Sequence, residues 1–393
     1  MAWPALFLLA LSMPAQDSPF SQKPKPKPAA APEAEGDAKD LPAHLKSLPH
    51  RSNYFKALEY IKKNFAGRDW RTIPDLFSGL VFLLDGREEV AMHLEKSIAI
   101  AKRKVLDDKA FNGNWFVAYS ALFLAIVYSH DKLPDVKEAL EAGFQVALRT
   151  REDDTQGWGH NKGWGRSSGY YKKGGAVDLG IVTATMLSAA LIARENGVDV
   201  PPSLIEGARK NLASISRNGV VTYGTSNGWT GFVSRSAAAF AGLHAAKQSS
   251  DPIYTAVTQG LPKEISGTEK GHAYGPIHFF ANALAMQLMG KFSEYGNFWI
   301  AALNSRQQSD GSVAMQHDGG KRGTEKPELG ATAVYALMLL MQKEKLLPAP
   351  GKGPRAPGGG SSPFSMKRPK IDDKELPSEQ APTGPTTGSG GKE

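Results

Sequence analysis

A Gly-rich turn leading into a helix of small and apolar residues recurs along the middle of this chain. One copy runs Gly157-Trp158-Gly159 into Asp178-Leu179-Gly180-Ile181-Val182-Thr183-Ala184. A second runs Gly219-Val220-Val221 into Ser236-Ala237-Ala238-Ala239-Phe240-Ala241, and a third Gly311-Ser312-Val313 into Gly330-Ala331-Thr332-Ala333-Val334-Tyr335. Units of this kind cannot bury their own apolar faces, so the copies must stack or close on one another.

Two kinds of helical pattern alternate around these turns. Amphipathic stripes run through Tyr54, Leu58, Ile61 and Phe65; Leu94, Ile98, Ala101 and Val105; Val136, Leu140 and Phe144; and Ile205, Ala208, Leu212 and Ile215. A shorter one lies at Ile253–Val257 and another at Tyr295, Phe298, Trp299 and Ala302. Each keeps one face in water. Between them, near 74–84, 115–129, 177–193, 234–246, 276–289 and 330–341, the pattern is apolar nearly all round, which requires burial on most sides. Six buried helices in strict alternation with six half-exposed ones predict an all-α double ring, an (α/α)6 toroid. Links from inner to outer helix are short, as at Asp85-Gly86 and Glu195-Asn196-Gly197. Links from outer to inner are long, about 151–175, 217–232, 262–275 and 307–328. Long loops in a compact domain tend to be functional, and here they all leave at the N-termini of the inner helices.

The ends differ in composition. Residues 1–15 carry a short apolar run and a small residue, Ala15, which reads as a signal peptide and predicts a secreted or periplasmic protein. Residues 16–48, with KPKPKP, and 347–393, with GPRAPGGGSSP, read as disordered tails around a toroid domain at 49–346. The tails hold 12 of 47 basic and 10 of 39 acidic residues, leaving 35 against 29 between them, a net +6. That mild basicity does not suggest nucleic acid. No stretch is long enough for a transmembrane segment. There is no cysteine, hence no disulfide, thiolate zinc site or cysteine nucleophile.

The stretch Gln307-Gln308-Ser309-Asp310-Gly311-Ser312, between an outer helix ending Trp299-Ile300-Ala301-Ala302-Leu303 and the inner helix after Gly330, resembles the QxxDGS(W) element of the terpenoid-cyclase and protein-prenyltransferase α/α-toroid superfamily. The block Gly271-His272-Ala273-Tyr274-Gly275-Pro276-Ile277-His278 resembles a loop-to-helix segment of secreted bacterial toroids of that kind. The resemblance implies the toroid over roughly 50–346 and a ligand at the barrel mouth. It does not carry over the known chemistries. There is no DxDD carboxylate motif, no Cys for the prenyltransferase zinc, and no Cys for a thioester. In the QxxDGS element itself, Asp310-Gly311 reads as a turn and Gln307 as its tie to a helix end.

The residues best suited to a ligand lie in two of the long loops. Trp158, His160, Trp164, Tyr170 and Tyr171 combine flat ring faces with polar edges, and His272, Tyr274 and His278 join them from the second loop. Trp158 is expected to present an exposed face on which a small molecule, a lipid or a carbohydrate stacks. As a packed plug it would instead be buried. His160, His272, His278 and Asp310 are the candidate acid–base groups, with Asp153, Asp154, Asp318 and Glu328 as further carboxylates. Asp178 is expected to sit at the start of an inner helix and favour its dipole. No cofactor is implied and no zinc is expected; a metal, if held, would fall to His160, His272 and His317. Three functions fit: a ligand-binding toroid, a carbohydrate-active lyase or hydrolase, and a scaffold.

Overall fold

The structure, a computed structural model, describes residues 41–65, 72–107, 113–163, 178–224, 231–264, 274–315 and 328–348. Trp164, Tyr170, Tyr171, His272, His317 and Asp318 lie outside them, as do residues 1–15, most of residues 16–48 and nearly all of residues 347–393.

Thirteen α-helices are present among the described residues: α1 (Ala43–Lys46), α2 (Arg51–Asn64), α3 (Thr72–Asp85), α4 (Glu88–Lys104), α5 (Gly113–His130), α6 (Pro134–Thr150), α7 (Gly180–Glu195), α8 (Pro202–Ile215), α9 (Val233–Ala245), α10 (Pro252–Gly260), α11 (Gly275–Leu288), α12 (Phe292–Asn304) and α13 (Leu329–Leu340). The inner set is α3, α5, α7, α9, α11 and α13. Each of these packs on the next, and α13 packs back on α3, so the ring closes. Outer helices α4, α6, α8, α10 and α12 each cover the inner helix before them, and α2 lies on α13. The fold is an all-α double ring. Strand structure among the described residues is confined to the hairpin Ser216–Arg217 (β1) with Val220–Val221 (β2) and a bridge between Gln307 and Val313.

Composition explains which helices go inside. Every residue of α13 is buried, as are nearly all of α5 and α7, so no face is left for water. Close approach is needed where inner helices touch. A Cβ on Gly242 of α9 would lie 2.5 Å from the Ser188 Cα of α7. There the Ser188 hydroxyl donates to the Ala238 carbonyl (2.6 Å) and accepts from the Gly242 N–H (3.0 Å), stitching the two helices.

The repeat has a hydrogen-bonded signature. The N–H of Trp158 donates to Thr183 Oγ1 (3.1 Å), that of Val221 to Ser236 Oγ (2.9 Å), and that of Val313 to Thr332 Oγ1 (2.9 Å). The carbonyl of each turn residue accepts from the N–H of the helix N-cap: Leu179 (2.8 Å), Phe232 (3.3 Å) and Glu328 (3.3 Å) respectively. One hydroxyl on the helix and one cap thus clasp the turn, satisfying groups that a helix end leaves open. Two residues before each clasped residue the backbone is left-handed, at Gln156 (φ 62°), Gly219 (φ 77°) and Gly311 (φ 88°). The first copy is therefore displaced by one from the Gly-to-Gly alignment that its sequence suggests: Gln156, not Gly157, matches Gly219 and Gly311.

The opposite end is closed by the segment after α13. Gln287 at the end of α11 donates to the carbonyls of Met341 (2.9 Å) and Glu344 (2.7 Å) and accepts from the Leu346 N–H (2.9 Å). His130, at the end of α5 and across the ring from α11, donates to the Leu346 carbonyl (2.7 Å). Leu346 is wholly buried there. Helix α1 joins this end, with His44 3.8 Å from Glu344.

Candidate functional site

At the N-terminal ends of the inner helices the side chains are mixed polar and aromatic. Tyr274 is the N-cap of α11. Its phenol crosses to the first turn of α13, where a Cβ on Gly330 would fall 1.9 Å from the Tyr274 oxygen and 3.5 Å from Pro74 of α3. Three inner helices meet at this phenol. Burial, then the charges of Glu328, the Tyr119 phenol and Asp75, hold its ionisation well above the ordinary tyrosine range. It therefore stays protonated and can donate. Tyr119 of α5 is likewise raised by burial, partly offset by its bond with Thr185.

Tyr119 links this group to the next. Trp115, in the first turn of α5, stacks on it with ring centroids 6.2 Å apart and planes 7° from parallel. The Trp115 indole N–H donates to His160 Nδ1 (3.2 Å), and the Asn114 N–H donates to the His160 carbonyl (3.2 Å). Burial lowers the His160 pKa. Two inner helices further round the ring, Arg235 of α9 is buried with its guanidinium 5.2 Å from the Tyr223 ring and 5.0 Å from that of Phe232, a cation held between aromatic faces.

Below this layer the axis is filled. Phe77 of α3 meets Phe280 of α11 at 5.0 Å and Tyr119 at 6.2 Å. The cavity beside them, lined by Tyr119, Thr185, Ala238, Phe280 and Leu284 among others, leaves about 10 Å³ for the centre of a water molecule, room for about one. An extended apolar chain does not pass here.

Of the residues expected to gather at the mouth, His160 is joined to Trp115 and Tyr119 of α5, and Tyr274 reaches the first turn of α13, near enough to Tyr119 for its charge to be felt. Trp158 joins neither. Its side chain is fully buried and its indole N–H donates to the Ala147 carbonyl of α6 (2.8 Å), so the expected exposed stacking face is absent. The Gly-rich loop carries it inward because the clasp to Thr183 aims it between α6 and α7.

His278 is also wholly buried. It is the fourth residue of α11, the place taken by the clasp hydroxyls Thr183, Ser236 and Thr332 in α7, α9 and α13. Asp75 has the same place in α3. Position thus makes both of them wall residues of the repeat, not groups projecting into an open mouth.

Asp310 is a turn residue. Its carboxylate accepts from the Ser312 N–H (3.0 Å) and hydroxyl (2.6 Å), which lower its pKa. Gln307 donates to the Asn53 carbonyl of α2 (2.9 Å), tying the turn to that helix. Asp178 stands at the start of the inner helix, just before the N-cap Leu179, and is fully buried; it also accepts a hydrogen bond from Asn211 of α8 and so ties an outer helix to this end. Asp153 is paired with Lys162 on the surface (3.0 Å).

Sequence reasoning missed Trp115, Tyr119 and Arg235. All sit in helices that read as uniformly apolar. The available signal was a polar or amphipathic residue within two turns of the start of such a helix.

Among the described residues no group of three or more His, Asp or Glu side chains is placed to hold a metal ion. No described helix is long and apolar enough to cross a membrane. A family described as Domain of unknown function (DUF6288) matches residues 55–346, from α2 to the closing segment, and the chain belongs to that family. A search of the curated proteins finds no match.

Proposed function

We propose that this member of the DUF6288 family is an exported, terpenoid-cyclase-like toroid that binds a neutral, hydroxyl-rich ligand, an oligosaccharide in the first instance, at the N-terminal mouth of its ring. The observation that carries this reading is the Tyr274 phenol, set among Glu328, Tyr119 and Asp75 where three inner helices begin. The Glu328 carboxylate can accept from sugar hydroxyls, a protonated phenol donates to their oxygens, and Trp115 and Tyr119 supply apolar ring surface. The filled axis argues against a tunnel for an isoprenoid chain.

The test is a binding screen by thermal shift and calorimetry with neutral oligosaccharides, prenyl alcohols and fatty acids. Saturable binding of an oligosaccharide, weakened tenfold or more in Tyr274→Phe, supports the reading. Binding of prenyl chains alone defeats it. The packed axis also favours a scaffold role, and that reading gains if no small ligand of any class binds.

A further inference from the structure

We propose that α2 is an acid-released strap across the junction of α13 and α3: its C-terminal end is held by His93 packed against Phe65 and Phe82, and protonation of His93 lets that end go.

Helix α2 fastens both sides of the place where the last inner helix meets the first. Its backbone lies on α13, and Gln307 donates to its Asn53 carbonyl (2.9 Å). It reaches α3 and α4 through side chains. The Tyr54 hydroxyl donates to Asp85 at the end of α3, which also takes the Arg87 guanidinium at 2.8 and 2.9 Å. That guanidinium lies 5.1 Å from the Phe55 ring, and Lys62 is 3.7 Å from Glu89 of α4. Just past the helix end, Phe65 meets Phe82 of α3 edge-on at 5.6 Å. The His93 ring of α4 lies 5.7 Å from Phe65 and 5.2 Å from Phe82, so three rings make this end of the hold. The junction beneath carries Gly330 and Pro74 beside the Tyr274 phenol.

One atom makes the hold sensitive to acid. His93 Nδ1 is buried and has no hydrogen-bond partner among the described residues. A neutral imidazole accommodates this by keeping its one proton on Nε2. Protonation adds a donor at Nδ1 with no acceptor, and a charge beside apolar rings; burial penalises both. Lys62 of α2 and Lys96 of α4 add repulsion, opposed by Glu59 of α2, which is itself paired with Lys62 (2.8 Å). Asp85 is engaged by Tyr54 and Arg87, and Glu89 by Arg87 (3.0 Å) and Lys62. Burial first, then Lys96 and Lys62, hold the His93 pKa below the ordinary histidine value. An imidazolium escapes these costs by swinging toward water, which takes it off Phe65 and Phe82. Fastened, His93 binds a proton less readily than when the strap is loose. The hold is therefore complete above the ordinary histidine midpoint of about 6.5 and is lost as pH falls through the lower midpoint of the fastened ring.

The test is hydrogen exchange by mass spectrometry on the full chain at about pH 7.5 and about pH 5.5, corrected for intrinsic exchange. Peptides over 51–65 should open several-fold more at the lower pH, while α7 and α8 keep their protection. His93→Phe keeps a ring on Phe65 and Phe82 but takes no proton, and in it the acid response of 51–65 should disappear. Equal opening of the wild type at both pH values overturns the strap, and that result needs no variant. His160 and His244, also lowered by burial, remain in His93→Phe, so a response that persists there overturns the assignment to His93. Control of the mouth by the strap rests on the function proposed above. A neutral glucan hexamer should bind several-fold more weakly at the lower pH in the wild type and not in His93→Phe. Undiminished binding with a loosened strap overturns the link to the mouth. A strap that loosens as expected in a protein that binds no oligosaccharide sinks the carbohydrate reading and leaves the strap standing.

Discussion

Replacing Trp158 by alanine should destabilise the ring and leave ligand binding intact. The indole is fully buried between α6 and α7, with its N–H on the Ala147 carbonyl and its own backbone N–H on Thr183. A buried Trp removes roughly 150–250 Å² from water, worth about 4–6 kcal/mol at about 25 cal/mol per Å². That agrees with the usual range of about 3–5 kcal/mol for truncating a core aromatic to alanine. The Ala147 carbonyl also loses a donor, within a penalty of about 1–3 kcal/mol that water entering the new space would reduce. A net loss of about 4–5 kcal/mol, in a domain of roughly 300 residues, corresponds to a fall of about 6–8 °C in Tm. Trp158→Phe retains most of the volume and should lose about half as much. Differential scanning calorimetry of the three proteins beside an oligosaccharide titration decides the matter. A melting temperature for Trp158→Ala within about 1 °C of wild type, with lost binding, would refute the plug and restore an exposed stacking platform.

Other outcomes follow from the same geometry. Gly311→Ala should cost about 2–5 kcal/mol, because the residue has φ 88° and its Cβ would lie 2.0 Å from the Lys56 carbonyl. Gly86→Ala, left-handed with open space around it, should cost only about 1–2 kcal/mol, and urea unfolding compares the two. Gln287→Ala removes three bonds to the closing segment; faster hydrogen exchange over 341–348, with little change at the other end of the ring, is expected. Gly330→Ala should displace the Tyr274 phenol and weaken oligosaccharide binding at small cost in Tm, since only a side-chain tip must move. Tyr54, Tyr119, Tyr274 and Tyr335 are raised in the folded state. The fold therefore holds more protons than the unfolded chain above pH 10, and stability is full below that pH and falls as pH rises beyond it. In an alkaline titration at 295 nm these four phenols should ionise only together with unfolding.

The ring was legible because burial leaves a period. Helices such as Leu329–Leu340, apolar on every side, had to be inside, and stripes such as Leu94, Ile98 and Ala101 had to face both core and water. The alternation then set the closed topology. Gly-rich turns were legible as turns but not in register: a left-handed residue in the first copy is Gln156, whose backbone angle no composition rule announces. Aromatic residues in those turns were ambiguous for a physical reason. Trp158 and a ligand-facing tryptophan have the same composition around them, and only the direction given by the clasp to Thr183 separates burial from exposure. His278 was read as a mouth residue from its neighbours in sequence, whereas its helical phase places it in the wall. Trp115 and Tyr119 were hidden in an apolar helix. The closing segment after α13, a short polar run, has no periodicity to detect.

In three of the long connections the clasp sets a fixed base for the excursion above it. In three copies the chain is fastened at one residue, Trp158, Val221 or Val313, and fastened again at the cap of the next helix, Leu179, Phe232 or Glu328. The residues between differ in number from copy to copy, yet both ends are joined across the same pair of hydrogen bonds. An excursion anchored at a common base can lengthen, shorten or be exchanged without altering the ring beneath it. This makes the toroid a natural host for grafting. Sequences of unrelated length inserted between these anchor pairs should inherit a defined entry and exit, and selectivity at the mouth would be reprogrammed one excursion at a time.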